Sequence, residues 1–296
     1  MASIYKIAHI SDLHISSAPH KQPYKMLVGK RIIGALKYYV GNRRVHFANS
    51  DFRTKKLLED IRITNVNHIV CTGDISSMSY ESEFKRASEI FFDFSEINKF
   101  TLIPGNHDRY TNYSYNNNRF EHWFKGLSPA RVSYPFLKEL NDKIVLIALD
   151  ASSPTILFDA SGKCGLEQLK KLEYLLNSEK LDNKLIFLML HFGLCGPDKK
   201  PVETMFKLRD YRHLIDIIKK SKNKINLTLH GHHHECFYLN YNDLNFLCSG
   251  SATDTNSSCG YNIIHIDSYN LGLRIERRNW SIENQRYEHN SFLNKM

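Results

Sequence analysis

Short apolar segments alternate along the chain with longer segments in which apolar residues recur every three or four positions. The short segments are rich in β-branched residues and end at polar residues or glycine, which predicts strands at 4–10, 68–71, 100–103, 144–149, 185–190 and 225–229. The longer segments predict amphipathic helices around 57–61, 84–94, 166–176 and 214–218, the first capped by Ser50 or Asp51. This alternation favours an α/β fold with a largely parallel sheet and helices outside it.

The helical pattern ends near residue 236. Segments 246–251, 261–267 and 273–280 then predict antiparallel strands with no helix between them. No Pro- or Ser-rich linker and no internal repeat divides the chain. We therefore expect one domain over residues 1–296, with a β-rich C-terminal part from about residue 236.

Two segments depart from the alternation. No acidic residue lies between Leu13 and Ser50, whereas this stretch contains Lys21, Lys25, Lys30, Arg31, Lys37, Arg43 and Arg44. Val28, Ile32, Leu36, Tyr39 and Val40 follow a helical period there, which predicts a basic amphipathic insert at about 15–50. Segment 110–118 is rich in tyrosine and asparagine and predicts irregular structure.

Composition and charge narrow the class of protein. With 42% hydrophobic and 24% charged residues, the chain is neither disordered, collagen-like nor a disulfide-rich miniprotein. It has no secretory signal pattern, no apolar run of about 18 residues and no C-x-x-C pair among its six cysteines, so we expect a cytoplasmic protein with free thiols. The net charge of +9 favours anionic partners, namely phosphates, nucleic acid or acidic lipid, although no nucleic-acid motif is present.

Potential metal-binding side chains follow five of the predicted strands. These are Asp12 and His14, then Asp74, then Asn106, then His191, and finally His232 and His234. Each could instead be a turn residue or a hydrogen-bonded histidine. Because ligands bind at the carboxyl edge of an α/β sheet, we expect the side chains to converge there.

The number and type of these donors suit a pair of metal ions. If Asp74 bridges, the seven residues provide four ligands to each of two ions. Imidazole and carboxylate without thiolate suit Mn, Fe, Zn, Co or Ni rather than a structural zinc site. Two such ions about 3.5–4 Å apart can clamp an in-line displacement at phosphorus.

The blocks DLH (12–14), GD (73–74), GNHD (105–108), His191 and GHHH (231–234) resemble, in order, the signature of the calcineurin-like metallophosphoesterases. The resemblance implies a four-layer α/β/β/α sandwich of two mixed sheets. It also implies two divalent transition-metal ions, manganese first among the candidates. One ion would be held by Asp12, His14, Asp74 and His234, and the other by Asp74, Asn106, His191 and His232. In this register His230 and His233 are supporting or structural residues, and a shift of one residue would make His233 a ligand instead.

The resemblance also implies a phosphoric ester hydrolase. A metal-bridging hydroxide would attack a phosphodiester or pyrophosphate bond in line, without a covalent phosphoenzyme. His107 is similar to the family's catalytic histidine, which would donate a proton to the leaving group or stabilise charge near it. Asp108 would orient that imidazole, or it would be a plain turn carboxylate.

Several substrates and roles stay open at this point. Small cytosolic members of the family hydrolyse cyclic nucleotides, whereas another branch is the UDP-2,3-diacylglucosamine pyrophosphatases of lipid A synthesis. That branch has arginine where this chain has His107, although the basic apolar insert points toward it. An inactive protein-binding scaffold is disfavoured by the intact ligand set.

The two unusual segments bear on the substrate. The insert could be a cap that holds the substrate's phosphates, or a contact of residues 20–46 with anionic lipid, placing the protein at the inner membrane surface. It could also be a solvated helix whose apolar stripe packs on the domain. Segment 110–118 is a further candidate for substrate contact.

Overall fold

A computed structural model describes residues 4–94, 99–202, 205–255 and 257–294. Its strands are β1 (Ile4–Ile10), β2 (His68–Cys71), β3 (Phe100–Leu102), β4 (Phe136–Glu139), β5 (Ile144–Ala148), β6 (Leu185–Met189), β7 (Leu227–His230), β8 (Cys236–Tyr241), β9 (Leu244–Ser249), β10 (Gly260–Asp267), β11 (Leu273–Ser281) and β12 (Arg286–Phe292). Its helices are α1 (Lys30–Tyr39), α2 (Arg43–His46), α3 (Ser50–Ile63), α4 (Glu81–Asp93), α5 (Asn112–Asn116), α6 (Arg119–Trp123), α7 (Leu166–Leu176) and α8 (Tyr211–Lys220).

The strands in the described part of the chain form two six-stranded mixed sheets. The first has the order β12-β11-β10-β1-β2-β3, in which β1, β2 and β3 are parallel and β10 to β12 antiparallel. The second has the order β4-β5-β6-β7-β9-β8, with β5, β6, β7 and β9 parallel. The single largely parallel sheet favoured by the residue pattern is therefore wrong, because strand periodicity does not say which strands are neighbours.

The two sheets pack face to face with helices on both outer sides. Successive strand residues point to opposite faces, and in β1 the side chain of Ile7 packs between the sheets while that of Ala8 faces α3 and α4. In β5, Leu146 packs between the sheets and Ile147 faces α7 and α8. The order of layers is helices, sheet, sheet, helices, which confirms the four-layer α/β/β/α sandwich.

Most predicted elements are found close to their expected positions, with three corrections. The residue before α3 is Asn49, and neither Ser50 nor Asp51 caps this helix. Strand β9 is antiparallel to β8, as predicted, but it is parallel to its other neighbour β7, because the β8–β9 hairpin places β9 between β7 and β8. Segment 110–118 is not irregular, because it contains α5, where Oγ1 of Thr111 accepts a hydrogen bond from the Ser114 N–H group at 3.2 Å.

All six cysteines are free, as expected. No helix in the described ranges combines the length and the apolar composition that crossing a bilayer requires.

Candidate metal centre

The candidate ligands lie where the carboxyl ends of two sheets meet. Strands β1, β2 and β3 of the first sheet lead to Asp12 and His14, Asp74 and Asn106, and β6 and β7 of the second sheet lead to His191, His232 and His234. The expected convergence is found, but between two sheets rather than along the edge of one.

One group of donors consists of Asp12, His14 and His234. The Nε2 atoms of His14 and His234 are 3.0 Å apart. Oδ1 of Asp12 lies 3.5 Å from Nε2 of His234 and 3.8 Å from Nε2 of His14. Three donors from distant parts of the sequence thus point to one small volume.

A second group consists of Asp74, His191 and His232, with Asn106 beside it. Nε2 of His191 is 3.4 Å from Oδ2 of Asp74, 3.1 Å from Oδ1 of Asn106 and 3.2 Å from Nδ1 of His232. Oδ2 of Asp74 is also 3.8 Å from Nε2 of His14. One carboxylate oxygen therefore lies between the two groups, as a bridging ligand would.

Hydrogen bonds hold the two carboxylates so that one oxygen of each faces the imidazoles. The His232 N–H group donates to Oδ2 of Asp12 at 3.0 Å, and the His107 N–H group donates to Oδ1 of Asp74 at 2.7 Å. The other oxygen of Asp12, Oδ1, is buried with no hydrogen-bond partner among the described residues. An unpartnered buried carboxylate oxygen facing ring nitrogens fits a bound cation.

Two of the candidate histidines are fixed from their far side. Nδ1 of His191 lies 2.8 Å from the carbonyl oxygen of Thr72, and Nδ1 of His234 lies 3.2 Å from Oδ2 of Asp254. Such partners keep the proton on Nδ1 and leave Nε2 for a metal. The donor set of imidazole, carboxylate and amide oxygen fits a first-row divalent ion.

Neighbouring charges and burial together set the protonation states of the candidate histidine ligands. Burial lowers the pKa of His191 and of His234, but Asp74 beside the first and Asp12 beside the second raise each pKa to about 9. Burial lowers the pKa of His14 and His232 well below its usual range, so these two rings are neutral at pH 7. The protons on His191 and His234 lie beside carboxylates, where a cation would take their place.

The ligand loops adopt uncommon backbone conformations. Asp12, His14, Asp74, His232 and His234 all have positive φ, between 43° and 71°. Such residues concentrate at functional sites, where surrounding structure has to hold them. At Gly231 a Cβ atom would lie 1.9 Å from Oγ of Ser11 and 2.4 Å from Oδ2 of Asp12, so only glycine fits between these ligands.

The four residues of the GHHH block separate into two kinds of environment. His232 and His234 belong to the two donor groups, whereas the rings of His230 and His233 pack near Phe237. Alternation around a tight turn explains why neighbouring histidines separate into ligand candidates and structural residues.

His107 lies at the site, but its predicted link to Asp108 is wrong. His107 forms a further close group with His14 and Asp74, and its Nδ1 is 2.5 Å from the carbonyl oxygen of Ser77. The carboxylate of Asp108 instead accepts hydrogen bonds from the N–H groups of residues 75, 76 and 105 and from the Ser76 hydroxyl. Asp108 is thus the turn carboxylate of the alternative interpretation, and it joins two ligand loops.

The basic insert reaches the site. Nη2 of Arg43 lies 2.8 Å from Nδ1 of His14, and Nε of Arg43 is buried without a hydrogen-bond partner in the described part of the chain. Arg43 was noted only as one basic residue of the insert. No sequence signal links it to His14, because the two residues are 29 positions apart across a loop.

A cavity of about 270 Å³ opens above the candidate ligands. Lys30, Lys37 and Arg43 of the insert line one side of it, and Phe158, Met205 and Phe206 line another. The cavity therefore combines cationic and apolar walls. Three cationic side chains of the insert therefore lie beside the candidate ligands.

One face of α1 is buried against the domain. Arg31 is buried and donates hydrogen bonds to the carbonyl oxygens of Met78 and Ser79 at 3.0 and 2.6 Å. Val28, Ile32, Leu36 and Val40 stay between 49% and 78% exposed. The interpretation in which this apolar stripe packs on the domain is therefore wrong, because buried Arg31, Gly34 and Ala35 occupy the inward face.

Comparisons with known proteins place this geometry among related folds. The family model for calcineurin-like phosphoesterases matches residues 5–236. The sequence matches no curated protein. The fold is similar to that of a dimetal phosphatase from Danio rerio, with a TM-score of 0.63, 10% identity and coverage of 93% of this chain and 95% of that one.

Two further solved structures show how widely the fold is used. One is the anchor in the inner membrane complex of Plasmodium, with a TM-score of 0.56, 13% identity and coverage of 99% of this chain and 90% of that one. The other is a sulfate thiohydrolase from Thermus thermophilus, with a TM-score of 0.52, 13% identity and coverage of 96% and 58%. Likeness at these identities shows the fold, and the reaction has to be argued from the site.

Proposed function

The chain belongs to the calcineurin-like phosphoesterase family, and on that premise we propose that it is a dinuclear-metal-dependent hydrolase of phosphodiester or pyrophosphate bonds. The observation that carries the proposal is the position of Asp74, whose Oδ2 lies between two groups of metal-binding side chains. When two divalent cations are bound, they supply Lewis acidity toward phosphate oxygens and hydroxide at neutral pH.

We propose that Arg43 binds a phosphate oxygen of the substrate. A guanidinium only donates, so Nδ1 of His14 accepts from Arg43 and the proton of a neutral His14 ring is on Nε2. A His14 ring that ligates through Nε2 carries its proton on Nδ1 and cannot accept from Arg43. If His14 held a cation in this way, Arg43 would be left to donate to another acceptor, and the cavity that it lines is where a phosphate would enter.

His107 is the proposed residue that donates a proton to the leaving oxygen or stabilises charge there. Its ring lies beside His14 and Asp74 and lines the same cavity. Lys30 and Lys37 add positive charge to the cavity wall, which supports a role for the insert in holding anionic substrate groups.

A second candidate function is hydrolysis of a lipid-linked pyrophosphate, as in a UDP-diacylglucosamine pyrophosphatase. The apolar wall formed by Phe158, Met205 and Phe206 favours it, because a phosphate alone needs no such surface. Binding of a cyclic nucleotide, by contrast, requires the cationic residues of the cavity and a smaller apolar contact surface.

Metal content and diesterase activity test the proposed chemistry. We expect two transition-metal ions per chain after supply of Mn²⁺, with Fe, Zn, Co and Ni as the other candidates, and Mn²⁺-dependent hydrolysis of bis-p-nitrophenyl phosphate. Asp74→Asn should lose both, whereas Asp216→Asn, an exposed aspartate on α8, should retain both. A stable wild-type protein that binds no metal would contradict the proposal and favour a scaffold.

A substrate panel separates the two candidates. Cyclic AMP and a UDP-acyl-sugar are compared at equal metal loading, with Phe206→Ala as the probe of the apolar wall. Loss of activity only on the acylated substrate would support the lipid-linked candidate. Equal activity of Phe206→Ala and wild type on both substrates would contradict the lipid-linked candidate, because that candidate rests on the apolar wall.

A further inference from the structure

Helix α1 has three different faces. Successive residues of a helix are rotated by about 100°, so residues three and four apart share a face. The sets are Arg31, Gly34 and Ala35 on the buried face, Lys30, Ile33 and Lys37 on the cavity face, and Ile32 and Leu36, continued by the C-cap residue Val40, on the third. Val28 lies just before the helix. The third face is entirely apolar.

This third face is open to solvent. Val28 is 59% exposed, Ile32 49%, Leu36 58% and Val40 78%. Isolated exposed apolar residues are common, but a group of four on and next to one short helix marks an interaction surface.

The loop that is hydrogen-bonded to the first residue of α1 carries further exposed apolar side chains. Nζ of Lys30 donates hydrogen bonds to Oγ1 of Thr155 and to the carbonyl oxygen of Asp159, both at 2.6 Å. Between these two residues lie Ile156, Leu157 and Phe158, which are 79%, 48% and 65% exposed. We call Val28, Ile32, Leu36, Val40, Ile156, Leu157 and Phe158 the apolar rim.

The insert that carries α1 is strongly basic. The sequence from Leu13 to Ser50 contains no acidic residue, and Lys21, Lys37 and Arg44 are exposed in it. The side chain of Lys25 lies outside the described residues. A basic segment that exposes an apolar helix face is complementary to anionic lipid, whose headgroups attract the cations while the interface accepts apolar side chains.

We propose that the apolar rim docks on an anionic bilayer, with α1 lying in the plane of the interface. The cavity face of α1 is next to the apolar face, so docking places the cavity at the lipid surface. A second copy of the chain is a poorer occupant, because a two-fold interface would bring two basic surfaces together. Docking does not depend on catalysis by the protein. It adds an anionic membrane, as a partner, to the proposed function.

Sedimentation with vesicles tests the docking. Wild-type protein is mixed at about 0.1 M NaCl with phosphatidylcholine vesicles that contain either no anionic lipid or about 30% phosphatidylglycerol. We expect binding to the anionic vesicles and at least about tenfold weaker partitioning for Leu36→Asp, because the charge prevents insertion of the apolar face. Ile282→Asp is the matched control, since Ile282 is 73% exposed in the turn after β11.

Each outcome decides the proposal. Loss of binding in Leu36→Asp with retention in Ile282→Asp supports docking through the apolar rim. Equal binding of both variants and wild type, or no binding of wild type, overturns it. A wild-type dimer in analytical ultracentrifugation that Leu36→Asp dissociates would also overturn it, in favour of a second copy.

The same assay separates docking from the proposed chemistry. Asp74→Asn should bind anionic vesicles as wild type does while hydrolysis is lost. Val40→Trp adds a direct readout, because insertion should shift its fluorescence to the blue only with anionic vesicles. Vesicle binding without hydrolysis in wild type would contradict the function alone, and hydrolysis without vesicle binding would contradict the docking alone.

Discussion

Replacement of Arg43 by glutamine should change metal affinity and catalysis in opposite directions. Nη2 of Arg43 donates to Nδ1 of His14 at 2.8 Å, and this bond has to break before His14 ligates through Nε2. Arg43→Gln removes that competitor and one positive charge near the cations. The first metal ions should therefore bind more tightly, whereas a substrate phosphate loses a donor.

The size of the effect follows from the type of bond. Hydrogen bonds that involve a charged group contribute about 1.5–3 kcal/mol, which corresponds to roughly 10–150-fold in an equilibrium constant. Because Arg43 is only half-buried, we expect about a tenfold gain in Mn²⁺ affinity. Loss of one charged donor to the transferred phosphoryl group should lower kcat/KM by about 10–100-fold.

Calorimetric titration with Mn²⁺ and steady-state hydrolysis of bis-p-nitrophenyl phosphate measure the two effects. Arg44→Gln is the matched control, since it makes the same change in net charge at an exposed neighbour. Weaker Mn²⁺ binding by Arg43→Gln than by Arg44→Gln would refute competition between Arg43 and the metal. An unchanged kcat/KM would refute the role in substrate binding.

Three further predictions concern the centre and the stability of the fold. His232→Ala should lose about one of two bound ions, whereas His233→Ala should keep both, as measured by elemental analysis. The reverse result would show that His233, rather than His232, is the ligand. Arg109→Met leaves the buried carboxylates of Glu121 and Asp150 facing each other without their cation, which typically costs about 3–5 kcal/mol. For a chain of this length that is a fall in Tm of roughly 5–8 °C, and a change under 2 °C (about 1 kcal/mol) would contradict it. Although burial raises the pKa of Glu276, hydrogen bonds from two histidines and an arginine lower it to about 2. Its contribution to stability is present above about pH 4.5 and is lost as the pH falls toward 2. Glu276→Gln should therefore make Tm less dependent on pH in that range. Parallel curves of Tm against pH for the variant and the wild type would contradict this prediction.

The strands and the order of their ligand-bearing loops could be predicted because both are local properties. Strand β1, for example, has exactly the predicted bounds, since its apolar run is short and ends at polar residues. Weaker elements such as β4 were not predicted, because its side chains are only partly buried and leave little pattern. The resemblance to a known family, rather than periodicity, supplied the second sheet.

Asp108 shows why residue roles are harder to predict than residue positions. A carboxylate next to His107 in sequence was expected to orient the imidazole, but its oxygens accept from N–H groups of residues 75, 76 and 105. Adjacent side chains on a tight turn point in different directions. Their partners come from loops that only the packed sheets bring together.

The amino-acid sequence determined which candidate metal-binding side chains lie together, because each follows a strand that the local residue pattern predicts. Only the tertiary structure decided that two sheets share these donors, that Arg43 contacts His14 and that the apolar face of α1 is left exposed. Helical periodicity shows that an apolar face exists, but whether it is covered depends on what the rest of the chain packs against it. Here buried Arg31, Gly34 and Ala35 take the inward position, and the apolar residues face outward.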